Sequence, residues 1–104
     1  MNKKELMKRL NSIDKLIQTF IKKAIVEITK EPFMYSFKTE FRKNMYIISL
    51  HHKEINKVVE EPILLQTLIQ DICSTEERVE LEMNRIIRKL IINVKNDKNT
   101  KIIL

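Results

Sequence analysis

Apolar side chains recur every three or four residues through the first thirty positions of the chain. Because an α-helix completes a turn about every 3.6 residues, this spacing places them on one helical face. The pattern predicts a helix over residues 3–30, which ends before Pro32 because proline cannot continue the helical hydrogen bonding. The residues concerned are Leu6, Leu10, Ile13, Ile17, Phe20, Ala24 and Ile28.

A second apolar run with similar spacing follows Pro32 and predicts a second helix over residues 33–60. Pro62 suits the first turn of a helix, which predicts a short third helix over residues 62–73. Ser74, followed by Glu77, is a capping-box signature for a fourth helix over residues 75–95. The second run consists of Phe37, Phe41, Met45, Ile48, His52, Ile55 and Val59.

The absence of glycine strengthens the helical prediction. None of the 104 residues is glycine, whereas tight hairpins commonly use Asn-Gly, Asp-Gly or Gly-Gly turns. Glycine-rich phosphate-binding loops are excluded for the same reason. We therefore expect an all-α antiparallel bundle of about four helices, formed as a single domain by residues 1–95. Residues 96–104 are expected to form a polar C-terminal extension with an apolar tail.

The chain is basic, with 20 Lys and Arg against 14 Asp and Glu and a net charge of +6. Lys8, Lys15 and Lys22 recur every seven residues, so they form a row on the first helix away from its apolar face. Together with Arg42 and Lys43 they are candidates for contacts to a polyanion. The competing interpretation is a solvated charged face, and A/T-rich coding also explains the lysine excess.

Candidate catalytic or metal-ligating residues are few. His51 and His52 are adjacent, so their side chains diverge by about 100° on a helix and do not form a two-ligand metal site. His52 lies on the apolar face and is expected to be partly buried. Cys73, the single cysteine, is interpreted as a small apolar filler. We therefore predict a protein that is not an enzyme and has no metal or other cofactor.

Aromatic residues and the C-terminal tail are the candidate partner-binding elements. Five of the six aromatic residues fall between positions 33 and 46, interleaved with Lys and Arg. Phe37 and Phe41 fit the apolar face, which leaves Phe33, Tyr35 and Tyr46 as candidates for exposure to a partner. The apolar tail Ile102-Ile103-Leu104 is expected to dock on its own bundle or on another chain.

Two short segments resemble a known family. Phe20-Ile21-Lys22, followed by Glu40-Phe41-Arg42-Lys43-Asn44, is similar to the small mitochondrial LYR-motif proteins, although all three residues of the Leu-Tyr-Arg triplet differ. The resemblance covers about half of the chain. It implies a three-helix assembly adaptor that binds acyl carrier protein.

These patterns favour a non-enzymatic interaction module, or a small subunit or adaptor of a larger assembly, with a protein partner or a second copy. The alternative is a small basic RNA- or DNA-binding protein that uses the lysine row of the first helix, with ribosome association as one variant. The single cysteine and the lack of a signal peptide or a transmembrane segment predict a reducing intracellular compartment, the cytoplasm.

Overall fold

The computed structural model describes the backbone of residues 2–103 and the side chains of residues 2–96. Three strands form one antiparallel sheet in the order β1-β2-β3. The fold is therefore α+β, and the predicted all-α bundle is wrong. The elements are α1 (Lys3–Ile28), β1 (Tyr35–Arg42), β2 (Met45–His52), β3 (Lys57–Leu64), α2 (Leu65–Gln70) and α3 (Glu76–Ile103), with 3₁₀ helices at Pro32–Met34 and Ile72–Ser74.

The sheet occupies the segment where a second helix was predicted. Aromatic and β-branched side chains are abundant there, and they favour the pleated surface of a strand. Phe37 and Phe41 are four residues apart, which corresponds to about one helical turn and also to two strand repeats. They therefore share a face in either structure. The adjacent residues Ile47 and Ile48 are both buried, although they point to opposite faces of β2.

Two hairpin turns form without glycine. Lys43 and Asn56 adopt the left-handed backbone conformation, with φ values of 58° and 55°. Asparagine tolerates this region, whereas a lysine there is strained because its Cβ approaches the following carbonyl oxygen. The absence of glycine therefore did not exclude a sheet, because other residues supply the two left-handed positions.

The helix boundaries are partly as predicted. The first helix is confirmed as α1. Pro62 lies inside β3, so the short helix predicted over residues 62–73 is reduced to α2 and the second 3₁₀ helix. The hydroxyl of Thr75 accepts a hydrogen bond from the Arg78 backbone N–H at 3.0 Å, so the cap of α3 falls one residue after Ser74. The helix also continues across residue 96, where the polar extension was expected to begin.

The core lies between one face of the sheet and the pair of long helices. We call this face the inner face. On the opposite or outer face, Lys38, Val58 and Leu64 are exposed, whereas Ile47 is buried there outside the main core cluster. Fully or nearly fully buried contributors include Tyr46, Ile48 and Leu50 of the sheet, Ile17, Ile21 and Ala24 of α1, and Met83, Ile86, Ile87 and Leu90 of α3.

The β1–β2 turn gives the first prediction. Replacing Lys43 by glycine should raise the free energy of unfolding by about 0.5–1 kcal/mol, because the relief of left-handed strain exceeds the added flexibility of the unfolded chain. Lys53→Gly is the matched control, because Lys53 lies in the other turn and does not have a positive φ. It should lower the same quantity. Thermal and urea unfolding measure both, and a loss of stability in Lys43→Gly would contradict this turn geometry.

Candidate functional site

The structure leaves one of the predicted partner-binding aromatic residues accessible. Phe33 is 68% exposed, whereas Tyr35 and Tyr46 are buried. Both tyrosines point to the inner face, where the ring of Tyr35 meets His52 edge-on with the ring centres 4.8 Å apart. Tyr35 and Tyr46 therefore do not offer side chains to a partner. The side chains of Ile102, Ile103 and Leu104 lie outside the described residues.

The predicted polyanion-binding residues divide into two groups. Lys8, Lys15 and Lys22 are exposed on α1, and none of them forms an ion pair with another described residue. Arg42, by contrast, forms an ion pair with Glu40, and Lys43 forms the neighbouring turn. The lysine row of α1 is thus accessible to a polyanion, whereas the positive charge of Arg42 on β1 is partly neutralised by Glu40.

Asp14 joins α1 to the sheet through a cluster of hydrogen bonds. Its Oδ1 accepts from the hydroxyls of Tyr46 and Thr39 at 2.6 and 2.7 Å, and its Oδ2 accepts from the Gln18 amide at 2.8 Å. Burial, followed by the bond to Asp14, raises the pKa of the Tyr46 hydroxyl well above its usual range. Three donors thus stabilise the carboxylate, so the cluster fixes the position of α1 on the sheet.

The histidines and the cysteine have structural roles. Nδ1 of His52 accepts a hydrogen bond from the Ile55 backbone N–H at 3.1 Å, and Nε2 of His51 lies 3.2 Å from the Asn56 side-chain oxygen. Burial raises the pKa of the Cys73 thiol, which keeps it protonated and a poor nucleophile at neutral pH. Among the described residues, no group of three His, Cys, Asp or Glu side chains is arranged to hold a metal ion.

A groove lies along the contact between α1 and α3 and is lined mostly by side chains of α3. We call it the α1–α3 groove; its volume is about 610 Å³. Two side-chain contacts join α1 to α3 at this groove: Lys23 Nζ lies 2.5 Å from Glu80 Oε2, and Asn84 donates to Glu27 Oε2 at 3.3 Å. It is lined by Glu27, Glu77, Glu80, Leu81, Asn84, Arg85 and Arg88.

Three large aliphatic side chains are exposed on the two long helices, and one of them lines the groove. Leu81 lines it and is 61% exposed, and Ile92 is 51% exposed. The two residues are eleven positions apart, about three turns, so they lie on one face of α3. On α1, Val26 is 63% exposed. It lies on the solvent side of α1, since Ala24 and Ile25 are in the core.

The charges in the groove are graded along α3. Glu77 and Glu80 lie near the start of α3, and Arg85 and Arg88 follow one and two turns later. Arg85 is 2.9 Å from Glu82, a buried carboxylate that also binds Arg78 at 3.1 Å. Arg88 forms no ion pair within the described part of the chain, so its charge is available to a ligand.

Sequence reasoning missed the groove because it followed only the apolar residues that share a face. Val26 and Leu81 fall outside the stripes that pack against the sheet, and Leu81 stands between two glutamates. A usable signal was present: large aliphatic residues on the polar face of a helix are candidates for partner contact.

Comparison with known proteins gives no functional assignment. No protein-family model matches the chain, and neither the curated proteins nor the solved structures show a match. The resemblance to LYR-motif proteins is not supported, because Glu40–Arg42 belong to a strand and Lys43 and Asn44 to its turn rather than to a helical adaptor. In the described part of the chain, no helix is long and apolar enough to cross a membrane.

The Asp14 cluster gives the second prediction. Tyr46→Phe should lower the free energy of unfolding at neutral pH by about 1.5–3 kcal/mol, because a buried hydrogen bond to a carboxylate is lost. The raised folded-state pKa of Tyr46 favours folding fully below the unfolded pKa near 10, and this contribution is lost as the pH rises above it. The stability of the wild type should therefore fall more steeply above about pH 10 than that of Tyr46→Phe. Parallel urea titrations at several alkaline pH values measure this, and equal slopes would contradict it.

Proposed function

We propose that this chain is a non-enzymatic interaction module, a small subunit or adaptor that binds a protein partner through the α1–α3 groove. The observation that carries the proposal is the exposure of Leu81, more than half accessible, in a groove with charges of both signs. Ile92 on the same face of α3 and Val26 on α1 are also more than half accessible. Large aliphatic side chains exposed next to a groove are typical of a surface that a partner covers.

The shape of the groove favours a helical ligand. Two helices side by side present a channel into which an amphipathic helix inserts apolar side chains at i, i+4 and i+7. Leu81 and Ile92 are separated by about three helical turns, so such a ligand would follow the direction of α3. The graded charges would also set the direction of the bound helix, because its basic end would lie near Glu77 and its acidic end near Arg88.

Several titratable side chains in the described part of the chain already make contacts within the fold. His52 and Cys73 are committed to the folded interior, and Asp14 is bonded to three donors. Partner binding requires only the surface of the fold, which the helix pair presents on a rigid support.

Purification of the tagged chain from its native cells tests this function. We expect a defined protein to co-purify in fixed ratio, to resist nuclease treatment and high salt, and to be lost in Leu81→Glu, because a carboxylate cannot enter the apolar contact. Val58→Glu is the matched control: Val58 is similarly exposed, at 55%, but lies on the outer face of the sheet. Retention of the partner by Leu81→Glu, or equal loss in both variants, would argue against the groove.

The alternative function, binding of RNA or DNA, is favoured by a separate observation. Lys8, Lys15 and Lys22 lie exposed along α1, and Lys22 shares with Lys38 a cleft of about 520 Å³ between α1 and β1. Cations in a row at the surface are suited to the regular spacing of backbone phosphates.

Salt-dependent binding of a labelled RNA or DNA duplex distinguishes this alternative. If the lysine row binds phosphates, the triple change Lys8/Lys15/Lys22→Glu should weaken binding strongly and reduce the slope of log K against log salt by about three. The control Lys30/Lys53/Lys95→Glu changes the net charge equally at exposed lysines elsewhere. Equal weakening in both triples would show that only overall charge matters.

A further inference from the structure

Within the described residues, strand β1 lies at an edge of the sheet and has backbone hydrogen-bonding groups that pair with no other strand. Arg42 and Met45 pair across a two-residue turn, so they form the hydrogen-bonded pair that closes the hairpin. Because successive residues of a strand alternate in direction, the odd-numbered residues direct their N–H and C=O groups away from β2. These residues are Tyr35, Phe37, Thr39 and Phe41.

The opposite edge of the sheet is protected against pairing, and β1 is not. By the same alternation, the backbone N–H and C=O of Ile47 point to β1. The partner of Ile47 on β3 is Pro62, which therefore directs its nitrogen away from β2, to the free side of β3. Proline has no N–H, which interrupts the row of donors along β3 and is a common way to block an edge strand. Strand β1 contains no proline, so its eight residues can accept a further strand.

We propose that two copies of this chain pair through β1, antiparallel about a two-fold axis at Thr39, to form a continuous six-stranded sheet. In this register Lys38 lies opposite Glu40 of the second copy, and the two-fold symmetry repeats this pair. Opposite charges in directly facing cross-strand positions stabilise a sheet. Glu40 also binds Arg42 of its own chain, so each carboxylate would lie between two cations.

The charges select this register over its neighbours. A two-fold axis at Lys38 would place the Lys38 side chains of the two copies opposite each other. An axis at Glu40 would place the two Glu40 carboxylates opposite each other. Like charges in facing positions destabilise strand pairing. An axis at Glu40 would also bring Lys38 opposite Arg42, so of these three registers only the Thr39 axis avoids facing like charges on β1.

The apolar residues of β1 fit the same arrangement. Phe37 and Phe41 lie on the inner face and remain partly exposed in the single chain. With the axis at Thr39, Phe37 of each copy faces Phe41 of the other, so both rings gain cover. Facing aromatic pairs add to the stability of an antiparallel sheet. The pairing uses the β1 edge and not the α1–α3 groove, so it stands independently of the proposed function.

Charge reversal followed by mixing tests the pairing. Sedimentation equilibrium of the wild type should show a monomer–dimer equilibrium. Lys38→Glu and Glu40→Lys, each alone, should raise the dimer Kd about tenfold or more, because both cross-strand pairs become repulsive. An equimolar mixture of the two variants should form a heterodimer with near wild-type affinity. In that heterodimer the carboxylate introduced at position 38 of one variant faces the ammonium group introduced at position 40 of the other.

Controls keep the outcome unambiguous. Lys95→Glu makes the same charge change on α3 and should leave the dimer unaffected. Thermal unfolding verifies that each variant is folded, and the milder Lys38→Gln, which should weaken the dimer about threefold, replaces any variant that is not. A wild type that stays monomeric at high concentration, a dimer insensitive to the reversals, or a mixture without recovery would each overturn the proposal. None of these results tests the proposed binding of a protein partner in the α1–α3 groove, which Leu81→Glu tests separately.

Discussion

Burial of a single face of a three-stranded sheet beneath two long helices is the constraint on which the rest of this structure depends. The inner face carries aromatic and aliphatic side chains such as Tyr46, Ile48 and Leu50, and α1 and α3 supply the apolar surface that covers them. A sheet of three strands gains stability only when one face is packed in this way. Once the helices lie on the inner face, the outer face and the solvent side of the helix pair are left for contact with other molecules.

One polar cluster fixes this arrangement more specifically than apolar packing does. Apolar contacts are weakly directional, so they permit a helix to slide or rotate on a sheet. Asp14 accepts hydrogen bonds from Thr39 of β1, Tyr46 of β2 and Gln18 of its own helix. A half-buried carboxylate without these donors would be costly. The position of α1 on the β1–β2 hairpin is therefore fixed by a carboxylate whose hydrogen bonds are satisfied.

The surfaces that remain differ in the partner they suit. The α1–α3 groove combines the exposed Leu81 side chain with graded charge, and it is the surface to which we propose that a helical segment of another protein binds. The free edge of β1 offers backbone groups and a self-complementary charge pattern, which fits a second copy of the same strand. The lysine row on α1 offers charge alone. The groove is separate from the β1 edge, whereas the lysine row meets that edge in the cleft that Lys22 shares with Lys38.

The sequence by itself determined α1, most of α3, and the identity of many core residues. Long amphipathic runs such as Leu10–Ile28 leave little choice, because only a helix places residues at steps of three and four on one face. Residues 33–64 were ambiguous: Phe37 and Phe41 share a face in a helix and in a strand, and the absence of glycine favoured the wrong choice because Lys43 and Asn56 form the turns.

Only the tertiary structure decided the sheet, the burial of Tyr35 and Tyr46, and the exposure of Leu81 and Val26. Strand pairing joins residues across the chain, and its free energy depends on which partner strand and which covering helix are present. The spacing of apolar residues along the chain does not reveal which strand or helix those partners are. Helical periodicity is a property of neighbouring residues, so the sequence reveals it directly, whereas the faces that meet and those that stay open are fixed only when the whole chain has folded.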